Sequence, residues 1–390
     1  MKREESKALR RLKPVVKEEH SSPMREMMKM MEEKQDLIGL SAGEANFDPP
    51  DALIALATEV MKKGKNQYTS TNGIPQIREA VAAFVKDQWG VEVDPDENIL
   101  MTVGGMEAIY LAARIVLEQG DRVLLPDPGW GVMRTLVERL GAVAGYYPLL
   151  EEKRWSIDHE AILARMDENT KLVVVNTPSN PTGAMLSKEG FEALIEKAEA
   201  VGTFILSDEV YHSYVYHGEH ASGLSFGRLD NLIFVNSFSK AFAVTGWRLG
   251  YAVAHPWIIR QMGIFKESIS LCSFSIGQWA MAEFLPHGKE YLGKARDFCR
   301  KNMERLLDGL NAIPGVRCTP PMGGIYVFPD FSEIEPSSQT LFKRLLDAGV
   351  AVAPGAFFGT RGEGHSRLMF ACPTERIEKG LERIRAAVVG

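Results

Sequence analysis

Lysine, serine and arginine side chains crowd the stretch FVNSFSKAFAVTGWRLGY, residues 234–251. An apolar, β-rich run from Leu232 to Val235 leads into Ser237, Ser239 and Lys240, and Arg248 follows eight residues after the lysine. An amine, two hydroxyls and a guanidinium in one turn-rich segment suit a phosphorylated carbonyl compound. The amine forms a Schiff base, while Ser237 and Arg248 hold phosphate oxygens. A strand, a loop and a solvated Lys/Arg pair is the plainer reading of the same residues.

Other segments carry chemistry that fits the first reading. A strand over Ile99–Val103 runs into Gly104-Gly105-Met106 and an apolar helix. Unshielded amides at such a helix start cradle an anion, and the helix dipole favours it. Trp130 follows a strand that ends near Pro126, where its ring can stack on a flat aromatic group or cap the core. Asp208 ends the apolar run Phe204-Ile205-Leu206-Ser207, a costly position for a carboxylate without a partner; helix capping is its alternative role. Arg367, on a strand near the C-terminus, offers a planar guanidinium to a carboxylate. His212, His217 and His220 have a spacing that mimics a metal site, but no cysteine lies near, so no metal is expected.

The elements that must position these groups follow from pattern. At 390 residues the chain suggests one large and one smaller domain. A hydrophobic content of 45% provides for a large core, and the net charge of −6 argues against general nucleic-acid binding. No apolar run approaches membrane-spanning length and the N-terminus is not signal-like. Four scattered cysteines without C-x-x-C spacing read as reduced thiols in the cytoplasm. Residues 1–21 read as a charged, exposed arm, and Ser22-Pro23 as the cap and first turn of a helix. Met24, Met27, Met28 and Met31 stripe one face of that helix, as core or interface packing rather than a cofactor site. Strands are expected at 37–40, 122–125, 172–176, 204–208 and 232–235, and later within 315–331, at 350–354 and around Arg367. Helices are expected near 51–63, 187–201, 255–285, 288–312 and 374–388.

In their joint order, Gly105, Trp130, Asn180, Asp208, Tyr211, Lys240, Arg248 and Arg367 resemble the class I/II aminotransferases, pyridoxal-phosphate enzymes of fold type I. The motifs are S-x-S-K at Ser237–Lys240, G-x-R-x-G at Gly246–Gly250 and N-P-T-G at Asn180–Gly183. The resemblance runs from about Ser22 to the end, and departs at Ala45 and Ile77, where proline and leucine are usual. It implies an α/β fold: a large domain with a mostly parallel seven-stranded sheet between helices, and a small α/β domain from both termini. The implied division is an arm and part of the small domain over 1–48, the large domain over 49–285 and the small domain over 286–390. It also implies a homodimer in which Tyr68 reaches the cofactor phosphate of the neighbouring subunit.

For the site, the resemblance implies pyridoxal 5′-phosphate bound as a Schiff base to Lys240, with Gly104, Gly105, Met106, Ser237, Ser239 and Arg248 around its phosphate. Trp130 stacks on the ring, Asp208 meets the ring nitrogen, and Tyr211 and Asn180 meet the ring oxygen. The peptide between Asn180 and Pro181 is cis in that picture. Gly43, Asn180 and Arg367 receive the substrate carboxylate. Transamination of an L-amino acid to a 2-oxo acid is the implied reaction. A β-lyase or related lyase on the same scaffold is the rival. A cofactor-sensing regulator is disfavoured by the short segment before Ser22.

Overall fold

The computed structural model describes residues 23–32, 34 and 36–389. The charged arm and the Ser22 cap fall outside the described residues, as do the side chains of Met24 and Met27. The strands are β1 (Ile38–Gly39), β2 (Ile99–Thr102), β3 (Arg122–Asp127), β4 (Val143–Pro148), β5 (Thr170–Asn176), β6 (Phe204–Asp208), β7 (Leu232–Ser237), β8 (Gly250–Val253), β9 (Tyr326–Val327), β10 (Val350–Ala351), β11 (Ala353–Pro354) and β12 (Ser366–Met369).

Seven of them form the central sheet, in the order β2-β8-β7-β6-β5-β3-β4. β8 runs antiparallel to both neighbours and the other pairings are parallel. The inner strands are buried on both faces, which explains their continuous apolar runs. Alternation still sorts their side chains. Leu172, Val174, Leu206, Ile233 and Val235 enter one apolar layer, with helices Gly104–Val116 and Pro256–Ile269. Val173, Val175, Ile205 and Phe234 enter the other, with helix Lys188–Val201 and the apolar core of the C-terminal region. Serine and glycine bound that last helix: the Ser187 hydroxyl accepts from the Gly190 amide, and Gly202 takes the left-handed conformation beyond the last turn.

Both termini build the second unit. β1 pairs in parallel with β10, matching Ile38 to Val350, while β11, β12 and β9 form a small antiparallel sheet. The α/β fold with a mostly parallel seven-stranded sheet is therefore present as expected.

Several local expectations need correction. The span 315–331 holds the short strand β9 and isolated bridges at Arg317, Gly323 and Asp330 rather than a continuous strand, because prolines and glycines at 320–324 interrupt it. Helix 255–285 is two helices, Pro256–Ile269 and Ser275–Phe284, broken where Leu271 adopts a φ of 61°. Strands β4 and β8 were not anticipated individually. β4 is a partly exposed edge strand with an internal glycine, and β8 emerges directly from the lysine–arginine loop.

Candidate active site

Residues at the carboxyl ends of β5, β6 and β7, and at the helix start after β2, line one cavity of about 520 Å³. This is the edge at which open α/β sheets bind ligands. Asn176, Asp208 and Ser237 are the last residues of their strands and all face this cavity. Beyond β7 the chain makes a single helical turn, Phe238–Ala241, started by the Ser237 hydroxyl accepting from the Ser239 amide at 3.1 Å. That turn carries Lys240 into the cavity.

Arg248 returns to the same place from a left-handed backbone position, φ 51°, with one guanidinium nitrogen donating to the Thr245 carbonyl at 2.9 Å. Its guanidinium lies against Gly104, where an added Cβ would come within 2.5 Å of Nη2; Gly104 also has a φ of 70°. Only glycine meets both demands. Gly105 and Met106 line the cavity beside Ser237, Ser239 and Arg248, whereas Gly104 supports Arg248 from behind.

The opposite wall comes from elsewhere in the chain. Ser41, Ala42, Gly43 and Glu44 line it, and the Lys240 amine donates to the Gly43 carbonyl. Met28 and Met31 also reach the cavity, so the methionine face does more than the packing expected of it. Arg367, on β12, is buried between the rings of Tyr326 and Phe358, with centroid distances of 4.2 and 4.9 Å. It donates to the Asn180 side-chain oxygen at 2.9 Å and to the Ser41 carbonyl at 2.6 Å; its Nε has no partner among the described residues. A guanidinium only donates, so the Asn180 oxygen faces Arg367 and its NH₂ is free to donate elsewhere. The Asn180 backbone is fixed by its amide bonding Asn176 Oδ1 at 2.7 Å, and the Asn180–Pro181 peptide is cis as expected.

Burial sets the electrostatics. It pushes the Asp208 carboxyl up to about 7, against the Val210 amide and the charge of Lys240, which pull it down. Asp208 Oδ1 has no hydrogen-bond partner among the described residues. Burial likewise pulls the Lys240 amine down to about 8; Glu44 opposes this, and Arg248 and Arg367 add to it. The Tyr211 hydroxyl, 3.1 Å from that of Tyr326, is held well above its ordinary value by burial.

Of the expected residues, Gly43, Gly105, Met106, Trp130, Asn180, Asp208, Tyr211, Ser237, Ser239, Lys240, Arg248 and Arg367 converge on this cavity. Tyr68 does not: it is 81% exposed, away from the cavity of its own chain. Tyr326 lines the cavity too, and Asn176, Glu44 and Thr245 line it without having been singled out. Asn176, a polar residue ending an apolar strand, carried the same signal as Asp208. His212 and His220 bond backbone carbonyls of Glu209 and Thr177 at 3.1 Å, and burial pushes them down to about 3 and 4. Elsewhere, and among the described residues, Glu151, Asp330 and His365 converge, but Arg317 already pairs with Asp330 at 2.6 Å.

The sheet order, and a lysine facing a strand-end carboxylate across a carboxyl-edge cavity, define an α/β enzyme of fold type I. The chain belongs to the aminotransferase class I and II family, a pyridoxal-phosphate-dependent family whose model matches residues 35–384. It is a transaminase. It is 37% identical over 360 residues to the aspartate/prephenate aminotransferase of Thermus thermophilus, covering 91% of each chain. It is 34% identical over 374 residues to an aspartate aminotransferase of Pyrococcus horikoshii, covering 95% of each. Among solved structures, the Thermus thermophilus aspartate aminotransferase with maleate superposes with a TM-score of 0.90 at 34% identity, covering 96% of this chain and 99% of the other.

Proposed function

We propose that this chain holds pyridoxal 5′-phosphate through Lys240 and moves the amino group of an L-amino acid to a 2-oxo acid in two ping-pong half-reactions. The observation that carries this reading is the buried Asp208 Oδ1, without a hydrogen-bond partner among the described residues and facing the same cavity as Lys240 and Arg367. A buried carboxylate is costly without a positive partner, and a protonated pyridine nitrogen is one. Ser237, Ser239, Arg248 and the amides of Gly105 and Met106 fit the phosphate, and Trp130 the ring face. The residues present therefore suit the cofactor, which when bound supplies an electron sink next to the substrate α-carbon.

The chain's own groups do the rest. Lys240 Nζ, with its lowered pKa, would act as the base that takes the substrate α-proton and as the acid that returns it. Asp208 would hold a proton on the ring nitrogen, and the hydroxyl of Tyr211 and the NH₂ of Asn180 would hold the ring oxygen. Arg367, with Asn180, grips the α-carboxylate and turns the substrate toward Lys240.

Three further features belong to the same reading. The large domain spans 49–285, and the small domain combines 286–390 with part of 1–48. A second copy of the chain covers the exposed Tyr68, whose neighbours Gln67 and Thr69 bond to Ser275 and Gln278 beside the exposed Leu271 and Phe274. A fully active monomer at assay concentrations would overturn that dimer. The four free cysteines support a reducing, cytoplasmic setting; no described helix is long and apolar enough to cross a membrane.

The deciding experiment adds a panel of L-amino acids to the holoenzyme and follows the visible band of the bound cofactor. Bleaching that a 2-oxo acid reverses is expected, and the fastest amino acids name the substrate class. Release of pyruvate and ammonia without reversible bleaching would establish a β-lyase instead.

A further inference from the structure

Helix Pro256–Ile269 carries a wholly buried lysine that the proposed chemistry does not use. Lys266 Nζ donates to Glu107 Oε2 at 2.7 Å and to the Ser270 hydroxyl at 2.8 Å. The Ser270 hydroxyl in turn donates to Glu107 Oε1, which closes a triangle. Glu107 Oε2 also accepts from the Val103 amide at 2.7 Å. Val103 immediately precedes Gly104 and Gly105, so this carboxylate ties down the strand-to-helix turn whose next amides face the cavity.

Glu107 lies in the first turn of the helix, where a phosphate dianion is also expected. Without compensation its charge would repel that dianion through a poorly screening interior. Lys266 removes the repulsion, and with Ser270 holds the carboxylate where it can accept from Val103. We infer that Glu107, Lys266 and Ser270 are positioning residues for the phosphate cradle: they set its geometry and cancel a charge that would otherwise oppose the phosphate. This rests on the cofactor placement proposed above.

The test compares the dissociation constants of pyridoxal 5′-phosphate and of pyridoxal, which lacks the phosphate, on the apo chain. Wild type should prefer the phosphorylated form strongly. In Lys266→Met that preference should fall at least about tenfold, with pyridoxal affinity little changed, because a buried charge has lost its partner. The double variant Glu107→Gln/Lys266→Met removes both charges and should recover the preference to within about threefold. Ser270→Ala keeps the ion pair and should lower the preference about two- to fivefold, a smaller loss than that of Lys266→Met because both charges stay paired; it carries the test if Lys266→Met does not fold. An unchanged preference in the folded variants, or equal losses for both ligands, overturns the inference while leaving the proposed function intact. A wild-type chain that binds both ligands equally overturns the phosphate placement and the inference together.

Discussion

Asn176, Asp208 and Ser237 reach the cavity from the ends of three buried, neighbouring strands, and Lys240 follows one turn later. Met28, Met31, Gly43, Tyr326 and Arg367 reach it from the far ends of the chain, on short strands, a loop and a helix. The first wall is held by the main sheet ladder, which leaves little freedom to move. The second is held by a two-stranded contact, a three-stranded sheet and side-chain bonds such as those from Arg367 to Asn180 and Ser41. The difference suggests a division of labour: chemistry belongs to the rigid wall, and substrate recognition to the wall assembled from both termini.

Substitutions on each wall should separate cleanly. Lys240→Ala has the largest expected effect: borohydride reduction should leave no cofactor tag on the acid-denatured chain, and a surviving tag would assign the attachment elsewhere. Asp208→Ala should slow the half-reaction by at least about 10³-fold while Lys240 remains tagged, because the electron sink is lost. Near-normal single-turnover rates would remove Asp208 from the chemistry. On the other wall, Arg367→Leu should raise KM for the amino acid about 30- to 150-fold, as loss of charge-assisted hydrogen bonds predicts. Cofactor affinity should change less than about twofold if the two walls divide the work in this way. A comparable loss of cofactor would blur the division.

Two smaller effects refine it. Lys240 has its pKa lowered to about 8, so its reactive neutral form accumulates as pH rises through 8. Attachment of cofactor to the apo chain should therefore slow about tenfold for each unit below pH 7 and level off above pH 9. A rate still rising steeply at pH 10 would mean an unperturbed amine. Met31→Ala should raise KM about two- to fivefold for amino acids with large apolar side chains and leave the smallest unaffected. Equal shifts for both would confine Met31 to packing.

Much of the rigid wall is legible in the sequence alone. A carboxylate ending the apolar run Phe204–Ser207, and the serine–lysine turn after Leu232–Val235, are local patterns in which residue type and strand end occur within a few positions. The assembled wall was legible only in part. Arg367 and Gly43 stood out by chemistry or by resemblance, but Met28 and Met31 read as packing. Their roles depend on β1 pairing with β10 and on Arg367 seating between two rings.

Short-range pattern thus determined the buried strands, the glycine turn after β2 and the serine–lysine turn after β7, because strand burial and helix starts are set by neighbours in the chain. Tertiary structure alone decided which residues more than a hundred positions apart share a wall. It also decided that burial pushes the Asp208 carboxyl up and the Lys240 amine down, and that Glu107 meets Lys266. The physical reason is that desolvation and close charge contacts arise only once distant segments have excluded water from one another.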